Sequence, residues 1–304
     1  LSAGDTPLPP HLPDDELQDL DRLVVEALRR GDEEALPILG YGEISLVLAW
    51  PPDGGPSFAC KRLPAFPTRE RFERYRATLE DYVAALEENG VRVVPTEFRA
   101  VELGGGSIAG YVVQPILSTD LLAPAVLAGA SEAEAEPLIE AVVETAAAVV
   151  GPRLGLDAQL ANWVWDRGRL TYIDVSTPMM WTPEGRCRLD LELIARPFPP
   201  PLRWPLRRFL APRILDGYRN LRGVYFDLCG NLIKEQLQRW LPAFVERANG
   251  HLEDPLSAAD IERYYRSDSR LWSLLLRLRR LDRTWQRRVR RRTYPYLLPR
   301  ETRR

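Results

Sequence analysis

Leu156-Asp157-Ala158-Gln159-Leu160-Ala161-Asn162, followed by Tyr172-Ile173-Asp174, is the stretch on which the reading of this chain turns. Asp157 and Asn162 have the spacing D-x-x-x-x-N, and Asp174 follows the asparagine twelve residues later. Between them, residues 162–174 alternate apolar and polar around Asp166-Arg167-Gly168, which predicts a β-hairpin. Asp157 alone would be an ordinary turn or helix-capping residue. With Asn162 and Asp174 it forms an ordered set: a carboxylate able to orient a hydroxyl, then two hard oxygen ligands suited to a divalent cation.

Working outward, the N-terminal side supplies the rest of a site in order. Residues 36–50 read as strand, glycine turn, strand, with Gly40-Tyr41-Gly42-Glu43-Ile44-Ser45 at the turn. Two glycines let backbone fold closely over phosphate and present N–H groups to it. Residues 51–57 are turn chemistry, and 58–63 form a short strand that carries Lys61 in Phe58-Ala59-Cys60-Lys61. Only two of the 41 basic residues are lysines, Lys61 and Lys234. In a chain so biased to arginine, a lysine marks a place where a compact ammonium is needed. Thr68 then precedes a periodic helix over 69–88, closed by Asn89-Gly90. Glu73, Glu80 and Glu87, seven apart, share one of its faces, and Glu80 is the expected partner of Lys61. Residues 91–103 and 108–117 read as two further strands around a glycine turn.

In this order the chain resembles the protein-kinase-like superfamily, and within it the aminoglycoside phosphotransferase and small-molecule kinase branch, over roughly residues 36–180. Phe58-Ala59-Cys60-Lys61 stands where that superfamily has its V-A-I-K strand, and Asp157 to Asn162 where it has the catalytic loop. The resemblance implies an α+β, two-lobed protein-kinase-like fold, with an antiparallel-sheet N-lobe and a mainly helical C-lobe. It implies ATP and Mg²⁺ between the lobes, with Gly40, Gly42 and Ser45 over the phosphates and Lys61 on the α- and β-phosphates. Ala59 would then lie against the adenine and Val164 beneath it, while backbone groups of Gln114 to Ile116 would reach its edge. Pro115 has no N–H, so the donor there is expected from Ile116. Asp157 would orient the acceptor hydroxyl, and Asn162 and Asp174 would hold the metal. The implied reaction moves the γ-phosphate to a hydroxyl of a small molecule, such as an antibiotic or biosynthetic intermediate, or of a peptide serine or threonine.

The departures from the pattern are specific. Gly155 stands where the loop usually has histidine, and no arginine precedes Asp157. Ser45 replaces the third glycine, Val175-Ser176 follows Asp174 in place of Phe-Gly, and no A-P-E motif follows. These losses argue against a protein kinase with a phosphorylated activation loop, while small-molecule kinases tolerate several of them. The losses leave a pseudokinase scaffold that binds a partner protein as the alternative.

The 304-residue composition excludes other classes. Apolar residues at 45% and charged residues at 28% describe a globular chain. Two histidines make a Ser-His-Asp hydrolase or a histidine-rich metal centre a poor fit. Three cysteines without a C-x-x-C pair form neither a disulfide framework nor a zinc site, so a reducing cytoplasm is expected. No apolar run is long enough for a transmembrane span, and residues 1–13 contain no signal-like apolar core. The arginine bias points to a GC-rich bacterial genome.

The expected organisation is an N-terminal helical extension (1–35), an N-lobe (36–117) and a helical C-lobe with an arginine-rich tail (118–304). Two helices are read over 119–151, and from 189 onward the chain reads as helix broken by a proline-rich loop at 198–205. Charge is split between the ends: residues 1–40 carry ten acids against three arginines, and residues 261–304 carry fifteen arginines against four acids. The basic tail is expected either to dock on the acidic first helix or to meet an anionic partner such as an acidic substrate, a nucleic acid or a membrane surface.

Overall fold

The computed structural model describes residues 11–32, 35–41, 46–52, 55, 57–296 and 298. Gly42 and Ser45, expected over the phosphates, lie outside the described residues. The fold is α+β. It has a five-stranded antiparallel sheet in an N-terminal lobe and a helical C-terminal region, the arrangement expected for a kinase-like fold.

Helix α1 (Asp14–Arg30) has acids in its first turn and arginines in its last, as the helix dipole favours, and Gly31 ends it at φ 77°. Its periodic residues Leu17, Leu20, Val24 and Leu28 are buried. Strands β1 (Ile38–Tyr41), β2 (Leu46–Trp50), β3 (Phe58–Arg62), β4 (Glu97–Glu102) and β5 (Ile108–Pro115) form the sheet in the order β1-β2-β3-β5-β4. Helix α2 (Arg69–Glu88) lies between β3 and β4 in sequence, and its N-cap Thr68 accepts from the Arg71 N–H.

Side chains alternate across a strand, so the two faces of β3 serve different neighbours. Cys60 packs in a cluster with α1, together with Leu46, Leu48, Ala109, Tyr111 and Val113. Arg62 joins this side, because its Nε donates to Asp21 Oδ1 of α1 at 2.8 Å. Ala59 and Lys61 must therefore face the other way. On that other face, Val112 belongs to the large cluster that continues through α2 into the C-terminal region. Each fully buried leucine or valine contributes roughly 1.5–3 kcal/mol as an upper estimate, so α1 is held to the sheet by several such side chains.

The C-terminal region begins with α3 (Ala123–Gly129) and α4 (Glu132–Val149). The predicted hairpin follows as β6 (Trp163–Asp166) and β7 (Arg169–Tyr172), turning through Arg167 and Gly168, both at positive φ. Beyond it come α5 (Leu191–Ala195), α6 (Pro200–Pro205), α7 (Ala211–Tyr218), α8 (Leu221–Lys234), α9 (Leu241–Asn249) and α10 (Ala258–Arg288). The proline-rich stretch at 198–205, read from sequence as a loop, is largely helical. Pro200 and Pro201 occupy the first turn of α6, where no intrahelical N–H bond is lost, and a π turn at Leu206–Leu210 carries the chain into α7. All three cysteines are free, and no helix among the described residues is long and apolar enough to cross a membrane.

Candidate functional site

The predicted loop and hairpin bring their polar residues together with β3. Lys61 Nζ donates to Asp174 Oδ1 at 2.9 Å. The same oxygen accepts from the Ser176 hydroxyl at 2.8 Å and the Ser176 N–H at 3.2 Å. Burial alone would raise the Asp174 pKa. Lys61 and the two Ser176 donors outweigh it and hold the carboxylate below its ordinary value. All three donors fall on Oδ1, which leaves Oδ2 for another charge.

Asp157 and Asn162 lie on the loop that leads into β6. Asn162 Nδ2 donates to the Asp157 carbonyl at 3.2 Å, and the Asn162 carbonyl accepts from the Ile173 N–H at 3.0 Å. The second bond ties the loop to the residue next to Asp174. The Gln159 N–H donates to Asp157 Oδ1 at 3.2 Å. Burial raises the Asp157 pKa, and the nearby charges of Asp227 and Asp174 raise it further.

Gly155 has a steric reason. A Cβ there would sit 2.8 Å from the Tyr218 carbonyl oxygen and 3.0 Å from the Trp181 ring. The support expected from a histidine comes instead from other donors. Tyr82 of α2 donates to the Gly155 carbonyl at 3.1 Å, and the Leu156 N–H bonds the Tyr218 carbonyl at 3.1 Å.

Two expectations are corrected. Glu80 does not meet Lys61. It is more than half exposed and pairs with Arg76 on its own helix. The inward face of α2 is the stripe Phe72, Tyr75, Leu79, Tyr82 and Leu86, which leaves the glutamates Glu73, Glu80 and Glu87 on the outer side. Tyr75 reaches the site from this helix and donates to the Ser176 carbonyl at 2.7 Å. The Ile116 N–H, expected as a donor to a ligand, bonds the Ser57 carbonyl at 2.9 Å and extends the β3–β5 pairing.

The other predicted residues are placed as follows. Ala59 pairs across β3 with Ala49 on one side and Gln114 on the other. The Gln114 side chain bonds Thr96 Oγ1 at 3.0 Å and the Ile173 carbonyl at 2.9 Å, so it fastens β5 to the segment before Asp174. Val164 is buried in β6, opposite Leu122. Gly40 sits in β1 beside an irregularity in the β1–β2 register.

Sequence reasoning missed Asp227 of α8. It is buried, accepts from Gln159 Nε2 at 2.9 Å and from the Tyr264 hydroxyl of α10 at 3.1 Å, and faces the Asp157 loop. Burial raises its pKa, Asp268 adds to the rise, and Lys234 opposes it. Asp227, Asn231 and Lys234 recur at four and three residues, which puts them on one face of α8. Lys234 Nζ donates to Asn231 Oδ1 at 3.3 Å. Both lysines of the chain therefore act on acids of this region.

The sheet lobe and the helical region make an α+β protein, consistent with a kinase-like fold. The sequence matches a family described as "Family of unknown function (DUF6206)" over residues 19–283, and the chain belongs to that family. A solved structure described as "WaaP in complex with acyl carrier protein" aligns with 79% of this chain and 92% of that one, at 14% identity and a TM-score of 0.34. That likeness is too slight to carry an argument. No curated protein matches the sequence.

Proposed function

We propose that this cluster is the site of an ATP- and Mg²⁺-dependent phosphotransferase that moves the γ-phosphate to a hydroxyl of a small molecule or of a peptide serine or threonine. The observation that carries the reading is the Lys61–Asp174 ion pair at 2.9 Å, tied to the loop bearing Asp157 and Asn162. An ammonium and a carboxylate from opposite lobes meet where a nucleotide's phosphates would need a cation and a metal ligand.

The residues fit a magnesium ion by donor chemistry. Asp174 Oδ2 and the Asn162 amide oxygen are hard ligands, and Mg²⁺ commonly takes only one or two protein ligands, completing its shell with water and phosphate. Among the described residues no group of three or more His, Cys, Asp and Glu side chains gathers to hold a metal ion. When bound, the ion supplies neutralisation of phosphate charge.

The chain's own groups do the rest. Lys61 exchanges Asp174 for phosphate oxygens. Asp157 aligns the acceptor hydroxyl, and its raised pKa brings proton acceptance closer to neutral pH. Asp227, itself held by Tyr264, fixes the Gln159 side chain and is a positioning residue for the Asp157 loop. Catalysis of this kind is mostly orientation and charge placement.

Calorimetry tests the reading. Wild-type protein is expected to bind ATP only with Mg²⁺, and Asp174→Ala to abolish that dependence. A folded wild type that binds no nucleotide contradicts the proposal. That result would favour a pseudokinase scaffold, a reading to which the pairing of Glu80 with Arg76 rather than Lys61 also points.

A further inference from the structure

Six of the seven large apolar side chains that are exposed among the described residues lie on two segments. Leu274, Leu281 and Trp285, with Val289 just past the helix end, occupy the second half of α10, between 54% and 66% exposed. At 100° per residue the first three fall on one line, turned away from the buried Leu275 and Arg279. Trp204 and Phe209 project from α6 and the π turn after it, edge to face at 5.5 Å. The two segments are joined. The Arg279 guanidinium lies over the Phe198 ring at 5.6 Å, and the Tyr294 hydroxyl donates to the Pro197 carbonyl at 3.0 Å.

Along these two segments the charge is predominantly positive. Exposed Arg277 and Arg288 flank the α10 stripe, Arg290 to Arg292 follow it, and exposed Arg207 and Arg208 flank the aromatic pair. No acid occurs between residues 196 and 215. Between 269 and 296 the only acid is Asp282, a partly buried residue that accepts from Gln286 at 2.8 Å.

We infer that this face, the outer side of the α10 C-terminal half with Trp204 and Phe209, docks on an anionic lipid bilayer. Aromatic and aliphatic side chains framed by arginines suit the boundary between headgroups and acyl chains, and the arginines suit the anionic headgroups. Leu274 to Val289 offers roughly 24 Å of such surface along the helix. A second copy is a poor occupant, because joining two such faces sets arginine against arginine. Nucleic acid would use the arginines but gives no site to Leu281 or Val289. The inference does not depend on the phosphotransferase reading.

The test is co-flotation of the full chain with vesicles of phosphatidylcholine alone, or with about 30% phosphatidylglycerol. Bound protein is expected to be at least about tenfold greater on the anionic vesicles and to fall as salt rises. The double variant Leu281→Glu/Trp285→Glu is expected to lose at least about tenfold of that binding while its circular dichroism and urea midpoint stay at wild-type values. Equal flotation of that variant and wild type overturns the inference and leaves the arginines as a simple polycation. Absence of wild-type flotation overturns it as well. A wild-type dimer that the same variant dissociates would assign the face to a second copy, and an acidic protein that competes with no vesicle bound would assign it to that protein.

Discussion

Replacing Asp21 by alanine should be among the most destabilising single changes in the N-lobe. The Asp21 carboxylate is almost fully buried between α1 and the sheet. Its Oδ1 accepts from Arg62 Nε at 2.8 Å and from the Tyr111 hydroxyl at 2.7 Å, while Arg62 Nε also lies 3.1 Å from that hydroxyl. Arg62 and Tyr111 are cross-strand neighbours of β3 and β5, so one carboxylate satisfies both strands. Its removal leaves a guanidinium buried without its counter-charge, a situation that costs about 3–5 kcal/mol. Two hydrogen bonds to a charged group, at about 1.5–3 kcal/mol each, give the same range. Against a net stability of about 5–15 kcal/mol, this consumes a large share. Urea unfolding followed by circular dichroism reads it as a lower midpoint. The triple variant Asp21→Leu/Arg62→Met/Tyr111→Phe keeps the volume and removes every polar group, so it should return to within about 1 kcal/mol of wild type. An Asp21→Ala loss below about 1 kcal/mol would refute the reasoning, since it would mean that water or another side chain replaces the carboxylate.

Gly155→Ala should destabilise the loop by about 1–3 kcal/mol, read by thermal unfolding, because the added Cβ meets the Tyr218 carbonyl at 2.8 Å. Glu80→Gln should leave nucleotide binding and stability within about 0.5 kcal/mol of wild type, as an exposed pair with Arg76 contributes little; a large loss of binding would restore Glu80 to the site. Asp157 has a raised pKa, so the native state keeps a proton that the unfolded chain gives up. Its contribution to stability therefore falls as pH rises from about 4 through the raised pKa. Under the proposed function Asp157→Asn should abolish transfer, and independently of it should unfold at higher urea than wild type near pH 8, with the difference vanishing near pH 4; equal midpoints across that range would contradict the shift.

Much of the fold was readable because its signals are local. Thr68 and Asn89-Gly90 bound α2 as the sequence predicts, and Asp166-Arg167-Gly168 turns the β6–β7 hairpin. That Asp157, Asn162 and Asp174 lie close together was readable because spacing and hairpin fall within one short segment. Glu80 misled for a definite reason. A seven-residue repeat shows that side chains share a face but does not say which face. The competing stripe Phe72, Tyr75, Leu79, Tyr82 and Leu86 settles it, since only apolar and aromatic side chains gain by turning inward. Asp227 and Tyr264 were illegible because Asp227 meets Gln159 from 68 residues away and Tyr264 meets Asp227 from 37 residues away. No local pattern records such a meeting. The proline-rich stretch at 198–205 reads as a breaker only if position within the helix is ignored.

The two allegiances of β3 have a consequence for how the Lys61–Asp174 side keeps its identity. A strand displaced by one residue exchanges its faces. In β3 that slip would bring Cys60 and Arg62 to the Asp174 side and turn Lys61 toward α1, where a lysine would meet Asp21. The two settings differ by a single step and both place a cation beside an acid. What separates them is shape: the Asp21 site already holds the Tyr111 hydroxyl and receives a planar guanidinium edge, while Asp174, already holding the Ser176 hydroxyl, receives a compact ammonium. In a sequence that otherwise writes nearly every positive charge as arginine, the one lysine beside one arginine in β3 acts as a phase mark, and an Arg-Lys exchange at 61 and 62 would erase it without altering the charge of either.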